Sequence, residues 1–224
     1  MRMPVTELAW IPAATPDSVP ALLGCCRNGI EAQNEWAANH ASSTLPPGPP
    51  SVRGAALYQQ REDPTIALIT AHWVSPEQHA SCVASEENKA AIAALAPCAR
   101  LDGINYFHVD GVQMFLPDTL SSPLLSILKI RVEDGKRDEV ERIWEERGKE
   151  LVMTAAGIKH TAGWRIEKEL GSEEEDEFLV VGAWRDEDAL MGFVKSEWEG
   201  SETWEGMWKG VVLGTDLTTY TRVF

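Results

Sequence analysis

The sequence predicts an α+β chain: two ferredoxin-like β-α-β-β-α-β repeats forming one α/β barrel. Three observations carry this. An apolar strand ending in Trp, followed by a capped helix, occurs twice, with Trp73 and Trp184 one half-chain apart. The strand and helix signals around each copy come in the same order. A single split unit covers only one face of its sheet, and a second unit in the same chain can bury the other.

Val5 to Ile11 reads as the first strand, and Pro20 to Ala38 as a helix with Leu22, Leu23, Cys26, Ile30 and Trp36 at helical spacing. Ala55 to Arg61 is the second strand. Thr65 to Trp73, TIALITAHW, is the third, bounded by Asp63-Pro64. Ser75 is an N-cap and Pro76 suits the first helical position, so a helix is expected from Pro76 to Ala96, stopping near Pro97. Asn105 to Val109 closes the first repeat, 1–117. In the second repeat, 118–224, Leu125 to Val132, Gly163 to Glu169, Glu177 to Trp184 and Thr218 to Phe224 read as strands. Lys136 to Ala155 is an amphipathic helix, with Val140, Ile143, Trp144, Leu151 and Val152 on its apolar face. Asp186 caps the helix after Trp184. Pro46 to Pro50 reads as a stiff surface insertion, and Glu173 to Glu177 as a solvated acidic hairpin tip, with a cation site as the alternative.

The 224 residues carry 20 basic and 35 acidic side chains, a net charge of −15. That balance argues against nucleic acid and against an anionic membrane surface as partners. No apolar run approaches a bilayer span and no secretory leader is evident, so a cytoplasmic location is expected. Cys25, Cys26, Cys82 and Cys98 form no metal or disulfide pattern and read as free thiols.

The stretches LYQQREDPTIALITAHWVSPEQHASCVAS and FLVVGAWRDEDALMGFVKSEW resemble the dimeric α/β-barrel proteins, closest to the antibiotic-biosynthesis-monooxygenase-like group in its tandem form. The resemblance spans both halves. It implies a small-molecule pocket and one of several activities: cofactor-free oxygenation of aromatic polyketides, haem degradation, dehydration or cyclisation, or no catalysis. The haem-degrading branch uses a strand-one Asn, a strand-three Trp and a helix-two His. Trp73 matches the Trp, His79 falls close to the His, and VTELAWI has no Asn, so haem degradation is not expected.

Three histidines belong to the first repeat alone: His72 on the third strand, His79 on the second helix and His108 on the fourth strand. The second repeat has Ala183, Ala189 or Leu190, and a Thr or Arg there. These histidines are the catalytic candidates, as a base or a carbonyl-polarising acid, against the alternative of hydrogen-bonded structural imidazoles. A three-His metal site lacks local ligand spacing, and no metal or organic cofactor is expected. Strand alternation sends Trp73 toward the helices and His72 to the interior between the halves. Trp73, Tyr58, Trp184, Trp204 and Trp208 are the substrate-binding candidates, with core packing the alternative for each. Acidic residues number 11 up to Val112 and 24 beyond it, which directs an apolar pocket to the first half, near Trp73 and His79.

The expectation is a cofactor-independent enzyme on a hydrophobic, polyketide-like aromatic, most simply a monooxygenase with a His base. A cyclase, dehydratase or decarboxylase on the same substrates is the alternative, as is a non-catalytic binding barrel. Self-association as a homodimer stays open.

Overall fold

A computed structural model describes residues 4–40, 49–114, 122–150, 160–168, 175–198 and 202–224. Eight strands form a closed antiparallel barrel in the order β1-β3-β2-β8-β5-β7-β6-β4. They are β1 (Val5–Pro12), β2 (Ala56–Gln60), β3 (Ile66–Trp73), β4 (Asn105–Asp110), β5 (Leu124–Glu133), β6 (His160–Arg165), β7 (Glu175–Trp184) and β8 (Val212–Arg222). The helices are α1 (Val19–His40), α2 (Pro76–Val83), α3 (Glu86–Leu95), α4 (Arg137–Ile143), α5 (Glu187–Phe193) and α6 (Glu202–Trp208).

Alternation along each strand builds two kinds of core. Inside the barrel, Leu8, Tyr58, Leu68, Phe107, Leu125, Ile127, Leu179, Val181 and Tyr220 from both halves form one apolar cluster. Outside it, Ala67, Ile69, Ala71 and Trp73 of β3 face the helices. Ile130, Val180 and Trp184 do the same in the second half.

Two seams join the halves. β2 pairs with β8 from Tyr58↔Arg222 to Gln60↔Tyr220. β4 pairs with β6 at Val109↔Arg165 and Asp110↔Trp164. The second seam is very close: a Cβ on Gly163 would lie 1.5 Å from the Asp110 carbonyl oxygen. Gly111 turns there at φ +87°, a conformation that favours glycine.

Several expectations are corrected. The helix expected from Pro76 to Ala96 is two, because Ser85 leaves the helical path and caps α3 through Asn88 N–H. β6 begins at His160, not Gly163, where it can pair with Gly182 of β7. β8 begins at Val212, well before Thr218, because β5 offers it a long partner edge. The acidic stretch is no solvated tip over Glu175–Glu177, which lie in β7. Asp176 is buried there, and Arg137 donates to both its oxygens at 2.8 and 2.5 Å. Residues 46–48 and 173–174 lie outside the described residues. All four cysteines are free, and no described helix is long and apolar enough to cross a membrane.

Candidate functional site

β1, α2 and β4 bring three buried side chains together on the helix-facing side of the first half. Glu7 and His108 are register partners on β1 and β4. His79 enters from the first turn of α2, which Ser75 caps by accepting from Gln78 N–H. Glu7, His79 and His108 are each no more than 3% exposed. His79 Nδ1 lies 2.9 Å from His108 Nε2, and His79 Nε2 lies 3.5 Å from Glu7 Oε2. His108 Nδ1 donates to Glu167 Oε1 at 2.5 Å, and the His108 backbone N–H donates to Glu167 Oε2 at 2.8 Å. Glu167 comes from the second half, just beyond β6, and is partly exposed. The result is an unbroken series, Glu7–His79–His108–Glu167, crossing the β4–β6 seam.

Trp73 closes the inner end. Its indole N–H donates to Glu7 Oε2 at 2.6 Å, and its ring stacks on His79 with centroids 4.5 Å apart. Tyr106 covers the outer side, 5.3 Å from His79 and 6.3 Å from His108. It is 46% exposed, so it is the ring between the pair and solvent.

Burial lowers the pKa of His79, offset in part by Glu7 and Glu167 and reinforced by His108. Burial pushes Glu167 up, but the side-chain and backbone hydrogen bonds from His108 outweigh it and hold the carboxyl below its usual value.

His72 does not join this group. It points into the barrel, as alternation predicts, on the opposite face of β3. Met114 N–H donates to its Nε2 at 3.0 Å. Nδ1 then carries the proton and faces Thr6 Oγ1 at 3.3 Å, while that hydroxyl donates to the Val112 carbonyl at 2.6 Å. Burial drops its pKa to about 3, so the ring is neutral and ties the 112–114 segment into the barrel end. A shared metal site of His72, His79 and His108 is therefore not formed. Among the described residues no three His, Cys, Asp or Glu side chains converge to hold a metal ion.

Trp73 and His79, near which a pocket was expected, stack directly on each other. Among the described residues, two cavities are lined by the second half. One of about 550 Å³ is lined by Glu202, Trp208, Lys209, Val212, Leu213 and Thr215, among others. Trp208 is thus the substrate-binding candidate that borders a cavity, though it is itself 2% exposed. The Trp204 side chain lies outside the described residues. Tyr58 is buried inside the barrel, away from the histidine pair. Burial raises the pKa of its phenol, with Arg222 opposing. Trp184 is buried and donates to Ser126 Oγ at 2.8 Å.

The second half holds a counterpart of each position. Strand register matches Ser126 to Glu7 and Thr219 to His108, and Leu190 falls where α2 has His79. Glu62 matches Glu167: it accepts from the Thr219 backbone N–H at 3.0 Å and from its hydroxyl at 2.6 Å. Of these matched positions, those of His79 and His108 carry histidine in the first half and not in the second. Sequence reading missed Glu7, Glu167 and Tyr106. Glu7 left one signal, a charged residue on the face of β1 that also carries Ala9 and Ile11.

Residues 123–198 match the family model described as antibiotic biosynthesis monooxygenase. The whole chain superposes on an anthrone oxidase-like protein with TM-score 0.66 and 15% identity, covering 100% of this chain and 93% of that one. A proposed monooxygenase from Fusobacterium nucleatum gives 0.61 at 10% identity, covering 100% and 94%. Another from Lactobacillus acidophilus gives 0.55 at 13%, covering 99% and 94%. At these identities the likeness is one of fold. No protein of curated function matches the sequence.

Proposed function

We propose that this eight-stranded barrel, whose residues 123–198 match the antibiotic biosynthesis monooxygenase model, is a small-molecule monooxygenase that works without metal or organic cofactor on a hydrophobic, polyketide-like aromatic. His79 is its base. The buried His79–His108 pair, flanked by Glu7 and Trp73, carries this reading, because the matching positions of the second half, Leu190 and Thr219, hold no imidazole.

The lowered pKa keeps His79 neutral near pH 7, so it can accept a proton. Nε2 is the accepting atom, since its contact to Glu7 is long at 3.5 Å. The substrate is a methylene flanked by aromatic rings. His79 takes one C–H proton, and the carbanion passes an electron to dioxygen. Recombination and protonation form a carbon-bound hydroperoxide. Loss of the second C–H proton, with hydroxide leaving as water, yields a ketone. One oxygen atom enters the product and the other becomes water. The methylene supplies four electrons and dioxygen accepts four. Tyr106 stands between the pair and solvent, so a substrate reaches Nε2 only by displacing its ring.

The test is oxygen uptake on a tricyclic ketone with a doubly benzylic methylene, under ¹⁸O-labelled dioxygen. One labelled oxygen should appear in the product, and His79→Ala should lower kcat by about 10²-fold or more. A dehydrated or isomerised product formed without oxygen uptake would replace oxygenation by cyclase or dehydratase chemistry. Full activity in His79→Ala would overturn the base assignment.

A further inference from the structure

We infer that the buried histidine pair is a proton channel whose outlet is Glu167. Protons pass between the Glu7–Trp73 end and the surface by way of His79 and His108. The inference rests on the proposed function for what the channel serves, but not for its test.

The geometry gives each step a donor and an acceptor. Glu7 Oε2 faces His79 Nε2 at 3.5 Å, His79 Nδ1 faces His108 Nε2 at 2.9 Å, and His108 Nδ1 donates to Glu167 at 2.5 Å. With His108 Nδ1–H held by Glu167, the contact between the rings contains one proton. In one state it sits on His79 Nδ1, and Glu7 is a carboxylic acid whose O–H faces the bare Nε2. In the other it sits on His108 Nε2, His79 carries its proton on Nε2, and Glu7 is a carboxylate. The two states hold the same number of protons and the same net charge. They differ by a proton shift along the series, which leaves a positive His108 against a negative Glu167. Transfer of the His108 Nδ1 proton to the Glu167 carboxylate completes the path.

The outer end is wet. Glu167 forms part of the wall of a polar surface cavity of about 260 Å³, with Arg165, Lys168 and Asp176 also on its lining. The inner end is dry, since Glu7 and Trp73 are almost fully buried. Among the described residues, the titratable groups facing the pair are Glu7 from β1, Tyr106 from β4 and Glu167. Cys82 of α2 lies near Glu7, but burial pushes its thiol up to about 12. The counterpart series Ser126–Leu190–Thr219–Glu62 is interrupted by an apolar side chain. Glu62 keeps the seam contact yet has no path inward. A channel of this kind suits chemistry that takes a proton from carbon and later returns one. Running outward and then back restores both histidine tautomers.

The test needs no substrate. Imidazole N–H signals of His79 and His108 are followed by NMR in the full chain, and their exchange with water is timed. Glu167→Gln retains an oxygen for the His108 backbone N–H but cannot take up and release a proton. It should slow exchange of the His79 N–H by at least about ten-fold, with amide spectra of the fold unchanged. Glu167→Asp should restore much of the rate. Glu62→Gln, the matching change at the other seam, should leave it unaltered. The exchange rate decides, because a carboxylate that only held His108 in place would be replaced by the glutamine amide without slowing exchange. Equal His79 exchange in wild type and Glu167→Gln would overturn the channel and leave the oxygenase proposal standing. Slowed exchange in a protein without oxygenase activity would do the reverse.

Discussion

Trp73 and Trp184 end equivalent strands but donate their indole N–H groups to partners of different character, the Glu7 carboxyl and the Ser126 hydroxyl. Both rings are buried, so replacement by Phe removes similar volume from each site. The difference lies in what is left behind. A buried carboxyl that loses a donor keeps most of its desolvation penalty, about 1–3 kcal/mol. A serine hydroxyl can redirect its own hydrogen. Trp73→Phe should therefore destabilise more than Trp184→Phe, by about 1 kcal/mol or more in urea unfolding at pH 7. Equal losses would show that Glu7 gains little from the indole.

His72 should make the fold sensitive to acid. Its folded pKa is about 3, below the unfolded value of about 6.5, so the unfolded chain binds a proton that the folded chain refuses. The stabilisation is complete above about pH 6.5 and is lost as pH falls toward 3. At about pH 4.5 the loss is on the order of 2–3 kcal/mol. His79, also lowered, adds to it in the same direction. His72→Gln removes the His72 part, so wild type and variant stabilities should converge between pH 7 and 4.5. Curves that stay parallel would count against a buried neutral ring.

The β4–β6 seam should tolerate no side chain at Gly163. A Cβ there meets backbone, which cannot rotate away. Gly163→Ala should cost about 1–3 kcal/mol or more, and it should displace Glu167 from His108. The isolated repeats, 1–117 and 118–224, should be poorly soluble, because each exposes its share of the barrel interior. Two soluble monomeric halves would contradict this.

Most of the barrel was legible because periodicity reports a face. Ala67, Ile69, Ala71 and Trp73 alternate with Leu68, Thr70 and His72, and that alone separated Trp73 from His72. The value of comparing repeats was similar: the missing histidines at Leu190 and Thr219 marked the first half. The site itself was less legible. Glu7, His79, His108 and Glu167 come from four segments, and their contacts depend on strand register and on how the halves close. Neither leaves a local signature. The stacking of Trp73 on His79 is also a packing outcome, which residue types alone do not specify.

The two seams also say what covalent fusion makes available. A barrel assembled from two identical single-repeat chains would have identical seams by symmetry, so any residue gained at one would be gained at both. Joining the repeats in one polypeptide releases that constraint. Here one junction carries His108 against Glu167, while the other carries Thr219 against Glu62. The same acidic clasp serves as wiring at one junction and as a rivet at the other, a specialisation that no symmetric assembly of one gene product can reach.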